Sequence, residues 1–337
     1  MKYNILFVIV TSIAVILLSA GLYDYMFCPE MKIKFEENES KGTVVSFLPV
    51  DSKAYRSGIH QLDTIIAVNG QSFKNKYDMK SSIIYNMDIG DIAVLTILRN
   101  GDTKEIPVVL ETRKKRNEIV FSAFIVIVLL LSSVFFYITF PGRDRYGFWI
   151  YCFYILLNIL YLYSYVSFEK PYLYIFLILS GSYAAAFPLL TSIKIIFKNQ
   201  REYLLLIPLL LSSAVFIVWG IYYLRWAADF SNIRMEQLNY AIRWTQFILG
   251  IETLTGMAFL IYGIYLRIKR KAHQYMPFII LILFIGFIPY LVLYAFPVAV
   301  GMKEIISIDL SLLFAIIPLL AILIYNNFIY EKEHFVS

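Results

Sequence analysis

Eight apolar runs, each near the length needed to cross a bilayer, constrain this chain more than any other feature. They occupy residues 5–22, 120–140, 148–166, 172–193, 204–224, 244–266, 278–298 and 306–325. A membrane-spanning helix needs about 20 predominantly apolar residues, and its backbone groups must be satisfied within the segment itself. Composition agrees: 60% of the 337 residues are hydrophobic and 16% are charged, where a soluble globule carries about a quarter charged. The net charge of +6 reads as basic loops that set orientation, so nucleic acid is not an expected partner.

The first run follows Lys2, and Leu18 stands where a signal-peptide cleavage site wants a small residue, which favours an uncleaved signal anchor. With the amino terminus in the cytoplasm, one side of the membrane receives Lys2, Arg143, Arg145, Lys194, Lys198, Arg201, Arg267, Lys269, Arg270, Lys271 and Lys332. The other side's short loops receive Lys170, Arg225, Arg234, Arg243 and Lys303. The bias predicts cytoplasmic termini. Cys28 and Cys152 are expected to be free thiols.

Between residues 31 and 111 the charge rises and the pattern alternates like short strands. The spacing predicts strands over 42–48, 64–68, 92–98 and 105–110, a short helix over 52–57 closed by Gly58, and a helix over 77–85. Asn69-Gly70 is a hairpin signal, and Arg99-Asn100-Gly101-Asp102 a second turn. The run Gly58-Ile-His-Gln-Leu-Asp63-Thr-Ile-Ile-Ala-Val-Asn69-Gly70-Gln71 resembles the G-L-x-x-G-D-x-I-x-x-I-N-G signature of bacterial PDZ domains. It departs at Leu62, where that family usually has glycine, and no clear Gly-Φ-Gly-Φ carboxylate loop appears near residues 27–31. The resemblance implies β-augmentation, in which a peptide or protein C-terminus adds as an extended strand to a sheet edge. Val44 and Ile83 are the candidate ligand contacts in this domain. The other reading is a domain that only packs on the membrane helices.

Catalysis is not expected. There is no His-Glu-x-x-His, no phosphate-binding glycine loop, and no histidine within a span to activate the serines of Ser180-Gly181-Ser182. Gly181 and Ala184–Ala186 read instead as small residues for close helix packing. No cofactor or metal is implied. An acid in lipid normally faces a cavity or a partner, so Glu252 is a candidate ligand-contacting residue; a local contact with Arg243, Gln246 or Thr253 is the other reading. Asp309 lies close enough to the interface to snorkel. Residues 225–243 read as the longest outer loop, with Trp226 and Arg234 as candidate ligand contacts. Pro289 and Pro297 in one span are candidate hinges, or simply kinks of packing.

One helix, an exported PDZ-like domain and a polytopic block resembles the membrane sensor region of competence-pheromone receptor histidine kinases of Gram-positive bacteria. Gly286-Phe-Ile-Pro289-Tyr-Leu-Val-Leu-Tyr-Ala-Phe-Pro297 and Ile316-Ile-Pro318-Leu-Leu-Ala-Ile-Leu-Ile-Tyr resemble two of its helices. The kinase module of that family is not expected within these 337 residues. The expected organisation is a transmembrane helix over 1–24, a PDZ-like domain over 30–113, a seven-helix block over 118–330 and a cytoplasmic tail over 331–337. The fold class is an α-helical polytopic membrane protein of about eight transmembrane helices with a small α+β PDZ-like domain inserted after the first. The expected function is a membrane receptor for an extracellular peptide-like or hydrophobic ligand, relaying to a cytoplasmic kinase or response regulator, as a monomer or homodimer. A PDZ-based scaffold and a transporter are the alternatives.

Overall fold

The first helix, α1 (Lys2–Phe27), runs past its apolar stretch and ends just before Pro29, which disfavours helical geometry at the residue before it. The computed structural model describes residues 2–38, 42–112, 116–139, 145–164, 169–184 and 206–269, with isolated positions at 186, 189, 190, 193, 289, 292, 293, 297 and 302. Among the described residues, five more helices follow the soluble insert: α4 (Arg116–Thr139), α5 (Arg145–Tyr163), α6 (Pro171–Ala184), α7 (Leu206–Ala227) and α8 (Asn232–Lys269). Among the described residues, four helices are long and apolar enough to cross a membrane, at 4–27, 117–138, 206–227 and 232–263, and α5 and α6 hold shorter apolar helices. The expected spans at 278–298 and 306–325 lie almost wholly outside the described residues.

One expectation is corrected. Residues 225–243 are not a long loop: α7 continues to Ala227, a tight turn follows, and α8 starts at Asn232 and runs unbroken for 38 residues. The polar residues there satisfied the pattern of a loop. However, a helix protruding beyond the bilayer has no reason to be apolar.

α5 sits at the centre of the bundle, packed against α1, α4 and α6. Leu157, Tyr161 and Leu162 are among its fully buried residues, as expected of a helix apolar on every face. Few sequences permit such proximity. At Gly21 a Cβ would lie 2.8 Å from Leu162 Cδ2, so a larger residue there would force Leu162 to shift, and glycine eases the close approach of α1 to α5. Polar side chains then stitch the helices: Asn158 Nδ2 donates to the Val126 carbonyl (2.9 Å), the Tyr163 hydroxyl donates to that of Leu17 (2.9 Å), and the Thr11 and Tyr151 hydroxyls meet at 2.7 Å. α7 packs on α6, and α8 on α7. Gly181 faces Leu160 and Trp219, where a methyl would fit at ordinary contact distance.

The insert between α1 and α4 is a small sheet domain. Its strands are β1 (Pro29–Glu30), β2 (Lys34–Asn38), β3 (Gly42–Phe47), β4 (Thr64–Val68), β5 (Gln71–Ser72), β6 (Ile92–Arg99), β7 (Asp102–Val109) and β8 (Glu111–Thr112). The sheet order is β2-β3-β4-β6-β7, with β5 on β4, while β1 pairs with β8 where the chain enters and leaves. Helices α2 (Lys53–Arg56) and α3 (Lys76–Asn86) close it over a core that includes Val45, Ile59, Met79, Leu95 and Val108. Both expected hairpins form as two-residue turns: Asn69 and Gly70 (φ 49° and 74°) and Asn100 and Gly101 (φ 54° and 91°) take the positive φ values of a type I′ turn. That second turn pairs Arg99 with Asp102, so β7 starts three residues before the expected 105.

The signature loop also has a physical basis. Asp63, buried, accepts from Arg99 Nε (2.7 Å) and Nη2 (2.6 Å) and from the His60 amide (2.7 Å). That pairing holds the Arg99 guanidinium above its usual pKa. Leu62 has φ 72°, the left-handed conformation in which a side chain costs about 1–2 kcal/mol, so the glycine of the family pattern is what this backbone favours.

Candidate functional site

Strand β2 is the end strand of its sheet, and α3 packs beside it. An edge strand flanked by a helix is the arrangement that accepts an added strand. β2 was not expected from the sequence, because Lys34-Phe35-Glu36-Glu37-Asn38 carries a single large apolar residue and does not read as a strand. The register explains it: Phe35 pairs with Val45, and Thr43 donates to the Glu37 carboxylate at 3.0 Å. Helix α3 starts where Asn75 caps it, its side chain accepting from the amides of Tyr77 (3.0 Å) and Asp78 (3.1 Å).

A cavity of about 300 Å³ opens between this edge and the membrane helices. One wall is Cys28–Met31 with Ile33 and Phe35, and a second is Tyr77, Lys80, Ile83 and Ile84 of α3. The third is Met235, Asn239 and Ile242 of α8, with Glu169 beside it. The groove of the sheet domain is thus roofed by the first turns of α8. Three contacts join α3 and its cap to the helical part of the chain. The Asn75 amide donates to the carbonyl of Phe230, a residue at φ 53° in the α7–α8 turn. The Tyr77 ring meets Trp226 edge-on at 5.2 Å. The Tyr85 hydroxyl donates to the Glu169 carbonyl at 3.3 Å. Burial first, then the charges of Glu169 and Glu37, push the Tyr77 phenol above its usual pKa.

Below the cavity, Lys170 pairs with Asp24 of α1, both nearly buried. Burial pulls the Lys170 ammonium down, but the hydrogen bond and charge of Asp24 outweigh it and hold its pKa above the usual value. Neither Cys28 nor Cys152 is in a disulfide. No group of three or more metal-ligating side chains occurs among the described residues.

Of the residues singled out from sequence, Ile83 lines the cavity. Val44 lies on β3, one strand in from the edge, and is absent from the lining. Trp226 is fully buried on α7, with Tyr77 and Phe230 edge-on and Tyr223 tilted against it, one ring removed from the cavity. Arg234 is engaged locally, with its Nη1 on the Arg225 carbonyl (2.8 Å) and on Asp229 (3.2 Å). Glu252 is buried in the bundle, and among the described residues nothing hydrogen-bonds either oxygen; contacts with Arg243 or Gln246 do not form, and the Thr253 side chain lies outside the described residues. It lies ten residues beyond Ile242 on α8, or about 15 Å along the axis. Pro289 and Pro297 both have helical backbone, with a π-helical turn at Val292 and Leu293 between them; their other neighbours lie outside the described residues. Phe35, Tyr77, Glu169, Met235, Asn239 and Ile242 were not singled out. Only the one-turn spacing of Met235, Asn239 and Ile242 (235, 239, 242) could have marked them as one face.

A family model described as PDZ domain matches residues 29–110. A curated relative, Serine protease Do-like HtrB of Bacillus subtilis (strain 168), is 28% identical over 72 residues, which is 21% of this chain and 16% of that protein. The chain therefore spans less than a fifth of this relative's length. The insert is a PDZ domain.

Proposed function

We propose that this protein is a non-catalytic membrane receptor in which an extended peptide or protein C-terminus binds the PDZ groove and thereby repositions α8. A PDZ domain supports a protein-interaction or signalling role, and the apolar helices support membrane association. One observation carries the finer reading: the groove's third wall is α8 itself. A ligand strand entering between β2 and α3 meets Met235, Asn239 and Ile242, so the bound and empty states differ in α8 contacts. A ligand shifts a conformational equilibrium only through such differential contacts. The loop-charge bias supports a PDZ domain on the extracytoplasmic side, with α8 carrying the change towards a cytoplasmic partner such as a kinase or response regulator.

The test uses the full chain in lipid nanodiscs. Ligands selected from a displayed random peptide library are added, and hydrogen exchange is followed over residues 232–245. Altered exchange there, abolished by Ile83→Asp, is the expected result. Ligands that bind while leaving α8 unchanged would make the protein a scaffold. Reporter fusions that place residues 31–111 in the cytosol would end the receptor reading.

A further inference from the structure

The cavity's polar lining is unbalanced around Glu169. This residue lies in the connection before α6, is only 6% exposed, and lines the cavity. Its backbone carbonyl takes the Tyr85 hydroxyl, but among the described residues no cation or donor is paired with its carboxylate. The adjacent cation, Lys170, is committed to Asp24. Lys80 reaches the same cavity from α3, yet the described ion pairs do not join it to Glu169. A carboxylate bordering such a cavity is best met by a cation, through a charge-assisted hydrogen bond.

We infer that the roofed groove selects peptides presenting a cation, a lysine or arginine side chain or an amino-terminal ammonium, which enters between α3 and α8 and pairs with Glu169. The volume, about 300 Å³, accommodates one such side chain with its apolar stem against Ile83 and Ile242. This differs from carboxylate capture, for which the chain lacks the glycine loop. It rests on the groove being a peptide site.

The experiment selects displayed random heptapeptides on the full chain in nanodiscs, in parallel for wild type, Glu169→Gln and Glu169→Lys. Wild type should enrich lysine or arginine at one position, flanked by apolar residues. Glu169→Gln should lose that preference, and the selected peptides should bind it about tenfold more weakly. Glu169→Lys should favour aspartate or glutamate instead. Synthetic versions with a free or acetylated amino terminus separate the two sources of the cation. Peptides that bind without a basic preference, or keep it against Glu169→Gln, overturn the inference and leave the groove reading intact. If no peptide is enriched over empty nanodiscs, the groove reading falls, and this inference with it.

Discussion

The packing around α5 and the junction between the PDZ domain and α8 are both interiors, yet they are finished differently. Around α5, Leu157, Tyr161 and Leu162 are fully buried, a glycine admits the neighbouring helix, and hydroxyl and amide groups bond across helices. At the junction, aromatic edges and one capping asparagine flank a cavity that Glu169 lines. Dense packing resists rearrangement because each side chain's position is set by its neighbours. A cavity gives a ligand somewhere to enter and gives α8 room to move. The contrast separates a densely packed part of the molecule from one that borders open space.

The sharpest way to break this comparison is truncation at both places. Leu157→Ala should destabilise the chain by about 3 kcal/mol, because a fully enclosed side chain leaves a void behind. Ile242→Ala, which already borders open space, should cost less than about 1 kcal/mol. Thermal unfolding of the detergent-solubilised full chain reads both, and equal losses would mean that the junction is as rigid as the bundle. Next, Tyr77→Ala removes the edge-on contact with Trp226, worth about 0.5–1.5 kcal/mol. Faster hydrogen exchange over the α7–α8 turn, with the α5 interior unchanged, is the expected result. The smallest effect has the opposite sign. Leu62→Gly should stabilise the PDZ domain by up to about 1 kcal/mol, since glycine adopts the left-handed conformation without strain and Leu62 is 77% exposed. Slower exchange of β3 and β4 amides in the full chain would show it.

Much of the PDZ domain was legible beforehand for a local reason. Asn-Gly at 69–70 and 100–101 dictates its turns through φ alone, and Ser52 and Gly58 bracket α2 through capping and left-handed geometry. Four of the expected spans were legible as long apolar helices because lipid demands apolar length. The site was legible only at Ile83. β2 escaped because its pairing, not its composition, makes it a strand. The 225–243 segment escaped because mixed polarity describes a protruding helix as well as a loop. Trp226, which reads in sequence as an outer-loop or interfacial aromatic, is instead enclosed by Tyr77, a residue 149 positions earlier in the chain.

By itself, the sequence determined the quantities set by neighbours along the chain: apolar lengths, hairpin turns, helix caps and the identity of the inserted domain. Tertiary structure alone decided that α8 roofs the groove, that Asn75 reaches Phe230, and that Glu169 and Lys80 line one cavity. The physical reason is range. Turn and helix preferences act over a few residues, whereas these contacts join segments brought together only by burial, and no local pattern encodes which surfaces meet.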